Sequence, residues 1–303
     1  TSLMVVLYLK GGSKLYESAL NKFSTVMRIR KGKNFSNRDR KIDKIIQLQN
    51  IGKDAFPSYH WNPKFHSVKD TLWISRPSNS FVVRKDEGSG IIAYPTNALG
   101  HRKTFGEDLN AEIDIILIGD SFAEGCCVAS GSTVSDWLYK KLGKNVINLG
   151  IAGTGPIRQL ATLREIFEYE NQNKIYLTKN TKIIWLIFSS NDLHDLRQER
   201  ILPISEYVRN ANYSNNYYSN IEKISLIQRE FLNKIITDSN FFNKVQIYDN
   251  QALEMTELEN DFNDYKLVFK VLKDEVEKRG MELLPVLLYD YPDTPKQSNV
   301  GII

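Results

Sequence analysis

Short runs of apolar residues, rich in isoleucine, valine and leucine, recur between residues 113 and 288. Three of them occupy residues 113–118, 146–149 and 183–188, and a fourth, 283–288, follows a helical stretch at 258–279. Apolar residues fill nearly every position of these runs, which is typical of strands buried on both faces of a parallel sheet. The pattern therefore predicts an α/β domain with a central parallel sheet.

The chain upstream of this domain has a different pattern. Residues 70–75, 80–84 and 91–94 are short stretches with strand character, and Gly88-Ser89-Gly90 separates the last two. We therefore expect a β-rich extension packed on the main domain. The predicted organisation has three parts: a basic tail or membrane-proximal segment at 1–50, the β-rich extension at 51–110 and the main domain at 111–303.

Each of the first three apolar runs ends in residues that carry chemistry. Gly119-Asp120-Ser121 follows the first run, the glycine-rich segment 150–155 follows the second, and Asn191-Asp192 follows the third. Parallel strands share one carboxyl edge, where ligands bind, and a following helix N-terminus offers N–H groups to negative charge. Ser121 is therefore a candidate nucleophile. Taken singly, each turn is also consistent with a capped strand-to-helix turn or a tight connection.

Together, the three blocks resemble the SGNH (GDSL-type) hydrolase family, in its bacterial esterase and acyltransferase-like subgroup, over roughly residues 90–290. The resemblance implies a three-layer α/β/α sandwich with a central parallel sheet, of flavodoxin-like type, and a small β-rich N-terminal extension. It also implies that Ser121 attacks a carbonyl carbon. The oxyanion hole would then consist of the backbone N–H groups of Ser121 and Gly153 and the side-chain amide of Asn191. We interpret Asp120 and Asp192 as structural residues that hold these loops.

A serine hydroxyl also needs a base, and members of the family carry it in a final Asp-x-x-His block. This chain has no such block, and its four histidines are His60, His66, His101 and His194. We expect His194 to be a solvated helix position rather than a replacement for the missing base, and His101 to be a structural histidine rather than a residue that lines the site. The sequence is interpreted as a fragment, C-terminally incomplete, whose catalytic Asp and His would follow Ile303.

Charge is distributed unevenly along the chain. Residues 1–50 contain eleven basic and three acidic residues, so the remaining residues carry −4 of the total of +4. The candidate catalytic region therefore lacks the basic excess that phosphate backbones require, and we expect no nucleic-acid partner. The only two cysteines, Cys126 and Cys127, are adjacent and give no disulfide framework. No Cys/His cluster has metal-ligand spacing, and we predict no metal and no organic cofactor.

Two further segments leave alternatives open. The apolar stretch at 3–9 is consistent with the end of a membrane anchor or with a short amphipathic helix covering the domain. A membrane-associated or cell-envelope location is favoured, without a choice of membrane face. The Tyr- and Asn-rich segment 209–220 is consistent with a substrate lid or with a plain solvated loop.

The predicted function is that of a carboxylic-ester hydrolase or O-acyl (acetyl) transferase acting through an acyl-serine at Ser121. The partner would be a small-molecule or glycan ester, and the resemblance alone suggests an envelope polysaccharide. The alternative is a catalytically inactive SGNH-like module that binds an acylated glycan or a membrane partner.

Overall fold

The computed structural model describes residues 37–58, 72–85, 90–188, 191–237 and 258–288. In chain order its elements are helix α1 (Asn37–Asn50), strands β1 (Ala55–Pro57), β2 (Phe81–Lys85), β3 (Ile91–Pro95) and β4 (Ile115–Gly119), helices α2 (Ser121–Glu124) and α3 (Val134–Leu142), strand β5 (Val146–Asn148), helix α4 (Pro156–Asn171), strand β6 (Lys182–Phe188), helices α5 (Asp192–Glu199), α6 (Glu206–Arg209), α7 (Ile221–Thr237) and α8 (Leu258–Lys278), and strand β7 (Glu282–Leu288). Single turns of 3₁₀-helix occur at Pro203–Ser205 and Tyr218–Asn220.

The four predicted apolar runs form one parallel sheet with the strand order β5-β4-β6-β7. In its register Ile116 of β4 lies between Ile147 of β5 and Ile183 of β6. All five residues of β4 are buried, which explains why the apolar run is continuous rather than alternating. The predicted α/β class and the parallel sheet are therefore confirmed.

Helices flank the sheet on both faces. Trp185 of β6 belongs to the large core that includes residues of α4 and α8, whereas its neighbour Leu186 packs with Leu117 of β4 and Ala123 of α2. Successive strand residues point to opposite faces, so these two clusters lie on opposite sides of the sheet.

The strand order also fixes where a site can form. The chain passes from β4 to β5 on one side and then returns to place β6 on the other side of β4. The carboxyl ends of β4 and β6 thus form a topological switch point, the place where open α/β sheets bind ligands. Ser121 follows β4 and Asn191 follows β6, so both predicted residues lie at this point.

A second sheet, β1-β2-β3, lies upstream, and β2 and β3 confirm two of the predicted strands. The third prediction, a strand at 70–75, is wrong for the part that the structure describes, because residues 72–75 form no strand. Their polar backbone groups pair with side chains instead: Ser75 N–H donates to Tyr217 Oη, and Gln228 Nε2 donates to the Ser75 carbonyl. The first strand of the sheet is β1, which pairs in parallel with β2.

Part of the predicted basic tail is ordered as α1, where Ile45 packs against Ala55 and Val83 of the small sheet. The apolar stretch at 3–9 lies outside the described residues, and so do His60 and His66. Within the described ranges, every helix is too short or too polar to cross a membrane.

The Tyr-rich segment 209–220 differs from both expectations. Its tyrosines Tyr217 and Tyr218 are buried, and Glu165 of α4 accepts hydrogen bonds from the N–H groups of Asn215 and Tyr217. The segment is therefore fastened to α4 and is neither a plain solvated loop nor a free lid. The burial of its tyrosines and the hydrogen bonds to Glu165 together fix its position.

Candidate functional site

Ser121 lies at the turn between β4 and α2, as predicted, and is half-buried. The turn depends on Gly119, whose φ of 145° is rare for any residue with a side chain. A Cβ at this position would lie 2.6 Å from the carbonyl oxygen of Leu186 on the neighbouring strand. The glycine therefore lets the end of β4 approach β6 closely and sets the direction in which Ser121 leaves the sheet.

Asp120 joins the two strand ends. Its carboxylate is fully buried and caps α2, because Oδ1 accepts a hydrogen bond from Phe122 N–H at 3.0 Å. The other oxygen, Oδ2, lies 3.3 Å from Ser121 Oγ and 3.1 Å from Asn191 Nδ2, and both groups donate to it. Ser121 and Asn191 thus converge on one carboxylate, which agrees with the structural role expected for Asp120. Burial raises the pKa of Asp120 above its ordinary value.

Only part of the hydrogen-bonding capacity of the Asn191 side-chain amide is used. One hydrogen of Nδ2 is donated to Asp120, and the second, which every amide nitrogen carries, has no acceptor within the described residues. Its Oδ1 is buried and has no hydrogen-bond partner within the described ranges. The side chain therefore has unused donor and acceptor capacity beside Ser121.

Gly153 lies in the turn after β5, with a left-handed φ of 77°. This turn packs directly on α2. A Cβ on Gly150 would lie 2.4 Å from the backbone nitrogen of Glu124, and Asn148 Nδ2 donates to the Ala123 carbonyl at 2.7 Å. The loop predicted to carry an oxyanion donor is therefore fixed against the helix that begins with Ser121.

Glu124, the last residue of α2, is a buried carboxylate that the sequence-based prediction missed. Its side chain is 1% exposed and accepts hydrogen bonds from Arg76, Tyr94 Oη and Ala152 N–H, while Arg84 lies 3.7 Å away. We call these five residues the Glu124 cluster. Burial alone would raise the pKa of Glu124, but the two guanidinium groups hold it below its ordinary value. A charged residue between the apolar Ala123 and Gly125-Cys126 was the only signal in the sequence.

The first turns of α5 carry two further acids, Asp192 and Asp195, whose pKa values are raised. Asp192 Oδ2 accepts from Phe188 N–H at 2.8 Å, and its Oδ1 has no partner in the described part of the chain. Burial, together with the nearby Asp120, raises the pKa of Asp192 to about 8. Burial also raises the pKa of Asp195 to about 6.

Glu199, at the end of α5, serves a neighbouring helix. Its carboxylate accepts from the N–H groups of Gly155, Ile157 and Arg158 and so caps the N-terminus of α4. Burial raises the pKa of Glu199 to about 7 despite the nearby Arg158. This contact ties the end of the Gly153 loop to the element that carries Asn191.

The two described histidines are engaged elsewhere. His101 is 0% exposed, lies 2.6 Å from Tyr218 Oη through Nε2, and burial lowers its pKa to about 3. It is a structural core histidine, as expected. His194 is an exposed residue of α5, and its Nε2 lies 2.8 Å from Gln198 Nε2. Neither forms a hydrogen bond with Ser121 across the described ranges.

Other ligand-binding chemistry is sparse. Among the residues that the structure describes, no group of three or more His, Cys, Asp or Glu side chains is arranged to hold a metal ion. Cys126 is buried, Cys127 is partly exposed, and their sulfur atoms lie 2.7 Å apart. Comparisons of the chain with protein-family models, with curated proteins and with solved structures found no match. The residues at the switch point, Ser121, Asn191 and the Gly153 loop, therefore carry the functional proposal.

Proposed function

We propose that the protein is a serine-dependent carboxylic-ester hydrolase or O-acyl transferase with the three-layer α/β/α fold of the SGNH type. The observation that carries this proposal is the convergence of Ser121 Oγ and Asn191 Nδ2 on Asp120, at the switch point of the sheet. A hydroxyl nucleophile and an amide donor beside it are the parts that acyl transfer requires.

In the proposed reaction Ser121 Oγ forms a bond to the carbonyl carbon of the ester, and the carbonyl π electrons move to oxygen. The resulting oxyanion accepts hydrogen bonds from Asn191 Nδ2 and from the backbone N–H groups of Ser121 and Gly153. Collapse of this intermediate breaks the bond to the alcohol, which leaves with a proton, and yields an acyl-serine. Attack by water completes hydrolysis, whereas attack by another hydroxyl completes acyl transfer.

The proton of Ser121 Oγ passes to a general base in this scheme. The family resemblance implies a histidine oriented by an aspartate for that role. His101 and His194 do not supply it, because each is bonded away from Ser121.

We propose glycan or small-molecule esters as substrates, with acetylated envelope polysaccharide as the class that the resemblance suggests. The competing proposal is an inactive module that binds an acylated glycan or a membrane partner. It is favoured by one observation: in this structure Ser121 donates to a buried carboxylate rather than to a histidine.

Hydrolysis of 4-nitrophenyl acetate by the wild-type protein and by Ser121→Ala tests the proposal. We expect the substitution to abolish turnover. Ser130→Ala is the matched control, because this exposed serine lies nine residues further along the same segment and should leave the rate unchanged. Turnover that persists in Ser121→Ala would overturn the serine mechanism. A wild-type protein without turnover that still binds acetylated glycan would establish the competing module.

A further inference from the structure

The Glu124 cluster connects three parts of the molecule that are distant in sequence. Arg76 and Tyr94 reach Glu124 Oε1 at 3.3 and 2.7 Å, from the segment before β2 and from β3. The other oxygen, Oε2, accepts from Ala152 N–H at 2.7 Å. Glu124 itself follows Ser121 by one turn of α2. A single side chain thus joins the small sheet, the nucleophile helix and the loop that carries Gly153.

The contact with Ala152 acts on the peptide next to the predicted oxyanion donor. The peptide between Ile151 and Ala152 is hydrogen-bonded at both ends: its N–H donates to Glu124, and its carbonyl accepts from Thr154 Oγ1 at 2.7 Å. The following peptide carries the N–H of Gly153. Because a peptide unit is planar and rigid, fixing the first leaves only the torsion angles of Ala152 to orient the second.

In the part of the chain that is described, the Ala152 N–H forms its hydrogen bond with Glu124 Oε2. Ala152 is buried, and a buried N–H without a partner costs free energy comparable to a lost hydrogen bond. Loss of the Glu124 carboxylate would therefore drive the Ile151–Ala152 peptide to turn toward another partner. The direction of Gly153 N–H would change with it.

From this geometry we infer that Glu124 is a positioning residue, which fixes the Gly153 N–H relative to Ser121 and through which the small sheet supports the site. The inference rests on the proposed function for its catalytic consequence, but the effect on the loop is independent of it. Arg76 and Arg84 keep the carboxylate ionised and thereby maintain it as an acceptor for Ala152.

The chain provides a matched control for this residue. Glu165 of α4 is equally buried and also accepts backbone bonds, from Asn215 at 2.6 Å and from Tyr217 at 2.7 Å. It holds the Tyr-rich segment rather than the Gly153 loop. Glu165→Met and Glu124→Met therefore remove similar numbers of hydrogen bonds, and only the second affects the proposed oxyanion hole.

The experiment combines two readouts on the same proteins. Hydrogen–deuterium exchange over residues 149–155 reports the loop. A fluorophosphonate probe reports the site, because Ser121 Oγ forms a bond to phosphorus while fluoride leaves and the hydroxyl proton is released. In Glu124→Met we expect faster exchange in the loop and labelling slowed by about tenfold or more. With 4-nitrophenyl acetate, kcat should fall while KM stays within about twofold. Glu124→Gln, which keeps an acceptor oxygen, should recover part of the labelling rate.

Three results would overturn the inference: unchanged exchange at 149–155 in Glu124→Met, an equal loss of labelling in Glu165→Met, or a fast-exchanging Ala152 amide in the wild-type protein. The last result is measured on the wild-type protein, so it does not depend on whether a variant folds. If the wild-type protein neither labels nor turns over, the proposed function fails, whereas the exchange data still decide whether Glu124 fixes the loop.

Discussion

Two buried carboxylates near the Ser121 turn, Asp120 and Glu124, lie in very different surroundings. Glu124 is flanked by two guanidinium groups and a tyrosine hydroxyl, and its pKa is lowered. Asp120 accepts only from neutral groups, a backbone N–H, a hydroxyl and an amide, and its pKa is raised. Burial is common to both, so the nearby cations determine which carboxyl group is readily ionised.

The difference in surroundings extends to the residues that lie next to each carboxylate. The compensated side, where cations balance the carboxylate of Glu124, connects to Arg84 of the small sheet and to Arg76 in the segment before β2. The uncompensated side continues into Asp192, whose pKa is raised by burial and by the nearby Asp120. Groups with strongly perturbed pKa values concentrate at functional sites, where stability is given up for chemistry. The edge that carries Ser121 and Asn191 has this character.

Removing the carboxylate of Glu124, on the compensated side, should have the largest effect on stability. Glu124→Met leaves two buried arginines without their carboxylate, and we expect the free energy of unfolding to fall by about 3–5 kcal/mol. Urea denaturation followed by circular dichroism measures it. Glu206→Met is the control, because this exposed glutamate pairs with Arg209 on the surface and should change stability by less than about 0.5 kcal/mol. A loss below about 1 kcal/mol in Glu124→Met would contradict the support role.

On the uncompensated side, Asn191→Ala should affect turnover more than folding. Removing one oxyanion donor costs about 3 kcal/mol of barrier, so kcat for 4-nitrophenyl acetate should fall by about 100-fold or more. Asn180→Ala, at an exposed turn, serves as the control. A kcat within about threefold of the wild-type value would exclude Asn191 from the oxyanion hole.

The titration of Asp192 gives a pH-dependent test of the difference between the two sides. Its folded-state pKa of about 8 is above the ordinary value of 3.8, so the folded protein holds this proton more tightly than the unfolded chain. The resulting stabilisation is complete below about pH 4 and is lost as pH rises through 8. The stability of Asp192→Asn relative to the wild-type protein should therefore rise between pH 5 and pH 9 by on the order of a few kcal/mol.

Thermal melts of both proteins across this pH range measure the difference. Comparison with the variant cancels the other titrating groups, including His101, whose lowered pKa acts in the opposite direction at acid pH. A difference that stays constant between pH 5 and pH 9 would show that Asp192 is not perturbed.

The smallest effect is expected for Tyr94, which contributes one hydrogen bond to the Glu124 cluster. Tyr94→Phe removes one hydrogen bond to Oε1 and leaves the bond between Oε2 and Ala152 in place. We expect a loss of about 1 kcal/mol in unfolding free energy and an unchanged kcat. A fall in kcat comparable to that of Glu124→Met would show that the two oxygens do not act separately.

Features that depend on residues close together in the sequence, such as strands and tight turns, were predictable. Buried parallel strands have continuous apolar runs, so β4 and β6 were predictable, and the rule for carboxyl edges then placed Ser121 and Asn191 together. β7 was also predicted from its apolar run, although it is an edge strand whose residues are half-buried or exposed. Glycine before Asp120 and in the loop after β5 marked the tight turns.

Contacts between distant residues were not predictable in this way. Arg76 and Glu124 are 48 residues apart, and no local pattern indicates that they pair. The stretch at 72–75 has strand composition, but its backbone groups bind side chains of Tyr217 and Gln228. The Tyr-rich segment reads as polar, whereas its position depends on the carboxylate of Glu165. Each error arose where tertiary partners outweighed local pattern.

The most direct test of the central claim is mass spectrometry of the wild-type protein after treatment with a fluorophosphonate. The account predicts one phosphonyl group per chain, located on the peptide that contains Ser121 and absent from Ser121→Ala. Labelling of a different serine, or no labelling of a protein that hydrolyses 4-nitrophenyl acetate, would contradict the assignment of Ser121 as the nucleophile.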